Sequence, residues 1–235
     1  MTRIIFFSIK YQTFAKKEMK KRRNVNLKKL RTDYKADVLD EKTAPEEPFA
    51  LFRKWMHDAV LKHQPEPNAM CLSTCGKDGQ PHGRMVLLKG IEKNGLTFYT
   101  NYESEKASEL DANHRAALTF YWQLNARQVR IEGAVKKLSR KENMAYFSSR
   151  PRLSQIGAWA SHQSAIISSR EELEDWFEFY KEKFKGKKVP CPGYWGGYLL
   201  IPNRFEFWQG RMSRLHDRLV YIRQNKKWEI KRLSP

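Results

Sequence analysis

The sequence predicts a mainly β protein, an antiparallel barrel with flanking helices. Two observations carry this. Short apolar runs of strand length recur from residue 69 to residue 233, separated by turn residues. The usual nucleotide loops of a βαβ layout are missing, since neither G-x-G-x-x-G nor G-x-x-x-x-G-K-[ST] occurs.

The elements follow in order. EEPFALFRKWMHDAVLK (46–62) places Phe49, Phe52, Trp55, Met56, Ala59 and Val60 at helical spacing behind Pro48, which predicts an amphipathic helix with an aromatic core face. HQPEPN breaks it. AMCLST (69–74), GRMVLLKG (83–90) and LTFYTN (96–101) are expected strands. EKNG (92–95) is read as a hairpin turn of type I′, because Asn-Gly accepts positive φ. AALTFYW (116–122) and RQVRIEGAVKKL (127–138) form another expected pair. GGYLLIP (196–202), RFEFWQ (204–209), RLVYIR (218–223) and WEIKRL (228–233) close the series. Expected helices are 104–113, with a Ser cap position, 139–151, and 169–184, which opens as a Ser-x-x-Glu capping box; a further helix start is expected near Arg150–Ser154.

The chain has 235 residues, 40% hydrophobic and 13% aromatic, which suits one domain with a buried core. No run approaches the ~20 apolar residues that span a bilayer. Cys71, Cys75 and Cys191 form no C-x-x-C pair, and with the histidines they make no metal-ligand spacing. They read as buried or half-buried thiols of a reducing compartment. The net charge is +19, and ten of those positive charges lie in residues 1–35. Residues 1–29 are thus expected as a basic arm and 30–235 as a single domain. The start, MTRIIFFSIKYQTFAKK, lacks a secretory h-region, and a cytoplasmic location is expected. A mitochondrial presequence is the alternative for the arm, with sparse serine against it.

Four stretches combine cations with hydroxyls or amides: GRMVLLK, YTNYESEK, YFSSRPRLSQ and SHQS. Phosphate monoesters need several charge-assisted donors at one point, and two such groups would suit two phosphates on two ligands. A fifth stretch, FEFWQGRMSRLHDR (205–218), joins an aromatic strand to three arginines, a histidine and an aspartate.

Taken together, RMVLLK, FYTNYES-K, RQVRIEG, YFSSRPRLSQIGAW, SHQS, WGGY, FEFWQG and RLHDR resemble the pyridoxine/pyridoxamine 5′-phosphate oxidase family from about Leu30 to Pro235. The resemblance implies an FMN-binding split β-barrel of Greek-key type and a homodimer with active sites at the interface. It implies oxidation of pyridoxine 5′-phosphate and pyridoxamine 5′-phosphate to pyridoxal 5′-phosphate, with O2 as acceptor and H2O2 as by-product. On this resemblance FMN would be lined by Arg84, Met85, Val86, Leu87, Leu88 and Lys89, and contacted by Tyr99, Thr100, Lys106, Gln163 and Ser164. Gln128 would reach the flavin from the partner subunit, with Trp208 and Arg218 near its ring. Lys89, Tyr146, Arg150 and Ser154 would hold the substrate phosphate. Arg214 and His216 would be the catalytic pair, covering the substrate ring. Arg31 and Tyr34 would close over it. Asp217 is expected to orient a neighbouring arginine or the loop.

One departure stands out. The family has a basic residue where this chain has Glu105. A carboxylate there would oppose the flavin phosphate, so FMN binds more weakly or Glu105 turns to solvent. Two alternatives remain on sequence: another split-barrel flavoprotein, such as a flavin reductase or a carrier without turnover, and a nucleic-acid-binding protein. The first does not need Tyr146, Arg150, Ser154, Arg214 and His216 together. The second lacks any motif or interleaved aromatics, so no nucleic-acid partner and no membrane is expected.

Overall fold

The computed structural model describes residues 26–30, 33, 34 and 37–235. The chain divides into two units, Met1–Asp33 and Tyr34–Pro235. In the first, Leu27–Lys29 is a 3-10 turn whose start is capped by the Asn26 side chain. Arg31 lies outside the described residues.

The second unit is built on a nine-stranded antiparallel sheet. Helix α1 (Pro48–Leu61) begins with proline in its first turn and buries Phe49, Phe52, Trp55 and Ala59. Val60, expected on the same face, is 51% exposed. Phe52 packs on Phe120 and Trp55 stands edge-on to Phe207, at centroid distances of 5.1 and 5.2 Å. The strands are β1 (Ala69–Cys75), β2 (Pro81–Leu87), β3 (Gly90–Ile91), β4 (Leu96–Asn101), β5 (Arg115–Trp122), β6 (Arg127–Lys137), β7 (Trp195–Gln209), β8 (Asp217–Gln224) and β9 (Lys227–Arg232). Their order is β2-β1-β5-β6-β7-β4-β3, with β8 on β7 and β9 on β8. Alternation sets the faces: Ala116, Leu118, Phe120 and Trp122 of β5 point inward, as do Val129 and Ile131 of β6.

Two strand expectations need correction. The runs 196–202 and 204–209 are one strand, β7. Its first half pairs with β4 through Leu200, and its second half pairs with β8 from Arg204. The handover falls at Pro202–Asn203, where β6 shifts register between Glu132 and Gly133. A proline is tolerated here because the bulge does not need its N–H. The EKNG hairpin forms, with Ile91 opposite Leu96 and Glu92 N bonded to Gly95 O at 2.8 Å. Neither Asn94 nor Gly95 has positive φ, so the turn is not type I′. Gly95 serves close approach instead: a Cβ there would lie 2.5 Å from the Leu200 carbonyl oxygen.

The remaining helices are α2 (Glu105–Asn113), α3 (Arg140–Ser149), α4 (Arg152–Ala160) and α5 (Arg170–Lys183). Ser104 occupies the N-cap of α2, but its hydroxyl donates to Asn101 O instead of capping. Ser169 accepts from Glu172 N, while the Glu172 carboxylate reaches Ser168, so the expected box is only half formed. The full reciprocal box is at Ser139 and Glu142. α4 was expected only as a helix start near Arg150–Ser154, and the structure gives its extent. Pro151 forces Arg150 out of the helical region, which ends α3 and starts the second helix. A satellite core of Phe147, Ile156, Phe184, Val189 and Trp195 holds α3 and α4 to the start of β7.

Candidate active site

A cavity of about 690 Å³ opens between β2, β4, α2, α3 and α4. Of the residues expected at a flavin or substrate, Arg84, Met85, Val86, Leu87, Lys89, Tyr99, Thr100, Lys106, Tyr146, Arg150, Ser154 and Gln163 line it. Strand β2 supplies its last four residues, and the loop after it turns Lys89 into the cavity while Leu88 faces the core at 5% exposure. The Leu88 backbone is fixed by Asn68, which bonds both its N–H and its carbonyl.

Two cationic groups meet in this cavity. In the first, Gln163 Oε1 accepts from Lys106 Nζ at 2.8 Å and from Thr100 Oγ1 at 2.9 Å. Its oxygen is thus committed, and its amide N–H groups are left as donors. Burial, then the Arg84 charge, lowers the Lys106 pKa. Ser164, with φ of 73°, sits at the α2 N-terminus and accepts from Glu105 N at 3.3 Å. It faces a neighbouring recess with Glu103, Glu105 and His162. Glu105 is exposed, and its carboxylate approaches His82 and Glu109.

The second group centres on Arg150. Its guanidinium lies over the Trp195 ring at 4.8 Å, and burial lowers its pKa. Its Nη1 is buried with no hydrogen-bond partner among the described residues. A buried charged donor left unpaired is costly, and an acceptor beside it would relieve that cost. Tyr146 stacks on Tyr99 at 4.0 Å, and Tyr99 stacks on Trp195 at 5.2 Å. Burial, with Tyr146 adjacent, pushes the Tyr99 pKa up to about 12, so its hydroxyl stays a neutral donor. Ser154 stands in the first turn of α4. Trp195, which supports this group, was not singled out beforehand, although it opens the WGGY stretch.

The other expected residues form a separate group. Gln128, Trp208 and Arg218 are direct cross-strand neighbours on β6, β7 and β8, a row on the outer face of the sheet. Arg218 is held by Glu206 through Nε and Nη2, at 3.1 and 2.8 Å, and by the Ser234 carbonyl through Nη1. His216 packs on Trp208 at 4.6 Å, and Tyr34 stands edge-on to both rings. The Arg211 backbone N–H donates to His216 Nδ1 at 3.0 Å, which fixes the neutral tautomer with its proton on Nε2. Burial, then Arg214, lowers the His216 pKa. Arg214 is exposed at the end of a 3-10 turn, Met212–Arg214, and both Ser213 and Arg214 have left-handed backbones, with φ of 56° and 60°. Asp217 accepts from Arg232 Nη1 at 2.9 Å and from Leu39 N at 3.2 Å. None of this row lines the cavity within one chain.

Comparisons with known proteins agree with this architecture. Residues 56–181 match the family model described as pyridoxamine 5′-phosphate oxidase, and residues 195–235 match the pyridoxine 5′-phosphate oxidase C-terminal dimerisation region. A pyridoxine/pyridoxamine 5′-phosphate oxidase of Pseudomonas fluorescens is 51% identical over 208 residues, 88% of this chain and 97% of the relative. One from Leptospira biflexa is 49% identical over 210 residues, 89% of this chain and 99% of the relative. Among solved structures, PhzG from Burkholderia lata, in complex with tetrahydrophenazine-1-carboxylic acid, superposes with a TM-score of 0.81 at 31% identity, covering 85% of this chain and 99% of that one. A pyridoxamine 5′-phosphate oxidase-related, FMN-binding protein of Nostoc punctiforme shares the fold, with a TM-score of 0.63 at 17% identity over 78% of this chain and 97% of that one. With a matching model over more than half its length and relatives near half identity along most of it, the chain is an enzyme of the pyridoxine/pyridoxamine 5′-phosphate oxidase family.

Proposed function

We propose that the chain oxidises pyridoxine 5′-phosphate and pyridoxamine 5′-phosphate to pyridoxal 5′-phosphate, with FMN as cofactor and O2 as acceptor. The observation that carries this is the unpaired, buried Arg150 Nη1 beside Tyr146 and Ser154. Three donors around one point fit the dianion of a phosphate monoester.

The cavity fits FMN as well. Its volume lies in the usual range for organic ligands, ~300–1,000 Å³. Arg84, Lys106, Thr100 and Gln163 supply one anion-binding group, separate from that of Arg150, so cofactor and substrate phosphates have a group each. Met85, Val86 and Leu87 supply the apolar wall. FMN held by these residues would supply a two-electron acceptor for the substrate's C4′ hydride, with O2 as the final acceptor.

The protein's part is orientation. Arg150, Tyr146, Ser154 and Lys89 anchor the substrate phosphate. Arg214 covers the pyridine ring with its planar guanidinium, and neutral His216 offers its Nε2–H to a substrate oxygen. Holding the reacting atoms in contact accounts for several kcal/mol of barrier, about 7–11 in the best oriented systems. The row carrying Trp208, Gln128 and His216 does not reach the cavity of its own chain. In a homodimer joined through the matched C-terminal region, the partner's copy completes the site.

The test is reconstitution. Purified protein with FMN is mixed with pyridoxine 5′-phosphate in air, following aldehyde and peroxide. Stoichiometric aldehyde and peroxide are expected. Flavin bound without turnover would point to a carrier or flavin reductase. Turnover of a planar aromatic carboxylate in preference to the phosphorylated substrate would point to chemistry nearer that of PhzG.

A further inference from the structure

Arg84 enters the cavity from β2 with its two edges in different states. Its Nη1 donates to Thr74 Oγ1, to the His82 carbonyl at 3.0 Å and to the Leu72 carbonyl at 3.4 Å. Its Nη2 donates to Glu109 Oε2 at 3.2 Å. The end edge of the guanidinium is therefore committed. The side edge, Nε–H with the second Nη2–H, has no partner among the described residues. That edge is a rigid fork matching two oxygens of a phosphate.

The carboxylate behind this arrangement is Glu109. It lies on α2 three positions after Lys106, so the two share a helix face. It is 8% exposed and does not line the cavity. One oxygen meets Arg84 and the Thr74 hydroxyl, and the other meets His82 Nδ1. Thr74 bridges the pair, accepting from Arg84 and donating to Glu109.

We propose that Glu109 is a positioning residue for the cofactor phosphate: it touches no ligand, and it aims the free fork of Arg84 into the cavity. This rests on the FMN reading above. Two effects oppose each other. The Glu109 charge repels an anion, while its hydrogen bond holds Arg84 in place. Orientation wins because the charge is already matched by Arg84 and spread over His82 and Thr74. Without it, the guanidinium keeps only uncharged acceptors on its end edge and is free to leave the cavity wall.

Dissociation constants for FMN and riboflavin, measured by flavin fluorescence, test this. Riboflavin carries the same ring without a phosphate. In Glu109→Gln, FMN binding is expected to weaken about tenfold while riboflavin binding stays unchanged, a split that a general loss of structure would not produce. Thr74→Val, which removes one of the contacts to Arg84 at nearly constant shape, should show the same split with a smaller loss, and serves if Glu109→Gln does not fold. Equal weakening of both flavins would overturn the proposal, as would FMN binding that is unchanged or tighter in both variants. If the wild-type protein itself does not prefer FMN to riboflavin, the cofactor reading fails and this inference with it, before any variant is made.

Discussion

The cavity group and the sheet-row group differ in how their cations are held. Around the cavity, Arg84 and Lys106 are tied into hydrogen bonds and Arg150 is buried against Trp195, so the positive charges are fixed before any ligand arrives. On the sheet row, the floor is equally fixed, with Gln128, Trp208 and Arg218 in register. Its cover is different. Arg214 is exposed, on a turn whose two left-handed residues cost energy to maintain. On the proposed function, the contrast teaches that phosphate capture would be built into one chain's folded core, whereas ring capture would depend on a strained loop and a second subunit.

The largest expected effect comes from breaking the cavity side. Arg150→Ala removes a charge-assisted donor pair and should lower kcat/KM for pyridoxine 5′-phosphate roughly 100-fold, about 3 kcal/mol. Arg150→Lys should recover only part of it, because an ammonium cannot stack on Trp195 and offer a fork at once. Unphosphorylated pyridoxine, assayed in parallel, should lose much less. Equal losses for both compounds would remove the phosphate assignment.

A second pair of variants addresses the strained cover. Arg214→Ala and Arg214→Gly should both lower kcat/KM by about tenfold or more, since either removes the group proposed to cover the ring. They should differ in stability. Glycine accepts φ of 60° and alanine does not, which favours the glycine variant by about 1 kcal/mol. In a chain of this size that is a thermal midpoint roughly 2–4 °C higher. Identical midpoints would mean the left-handed backbone carries no strain.

Glu105 gives a smaller effect. Its side chain is exposed at the α2 N-terminus, where the helix dipole already favours a carboxylate. Glu105→Arg should tighten FMN by no more than about fivefold, the ceiling for an exposed charge. An unchanged dissociation constant would show that the side chain is too distant or too solvated to matter.

How far the sequence foretold these two groups follows from the range of the interactions. Strand β4 was legible to the residue because Leu96–Asn101 is bounded by a glycine and a turn. Strand β7 was read as two because Pro202–Asn203 looks like a break, and only the pairing of β6, β4 and β8 makes it continuous. Only the start of helix α4 was legible, because RLSQIGAWA carries a central glycine and few apolar repeats, and its burial comes from tertiary contacts with Phe147, Phe184 and Trp195. The residues that line the cavity were named from stretches joining cations to hydroxyls and from the family resemblance, while periodicity gave no hint of them. The row Gln128–Trp208–Arg218 joins positions up to 90 apart, which no local pattern reveals. Glu109 reads locally as a solvated helix residue, and only the β1–β2–α2 packing places it behind Arg84.

The smallest expected effect is a shift in one titration, and it separates burial from charge on the strained loop. His216 is held below its ordinary pKa of 6.5 by burial first and by Arg214 second. Its neutral form accepts the Arg211 N–H, so protonation costs that bond. The sign follows: the contact is intact at neutral pH and is lost as pH falls below 6.5 through the lowered midpoint of the folded protein. The His216 resonance, followed by NMR through the acid range, should therefore titrate below 6.5 in the wild type. Arg214→Gln removes the second cause and keeps the first. Its midpoint should rise but remain below 6.5. A midpoint that does not move would show that Arg214 points away from the imidazole in solution, and the joint cover of the substrate ring by these two residues would have to be abandoned.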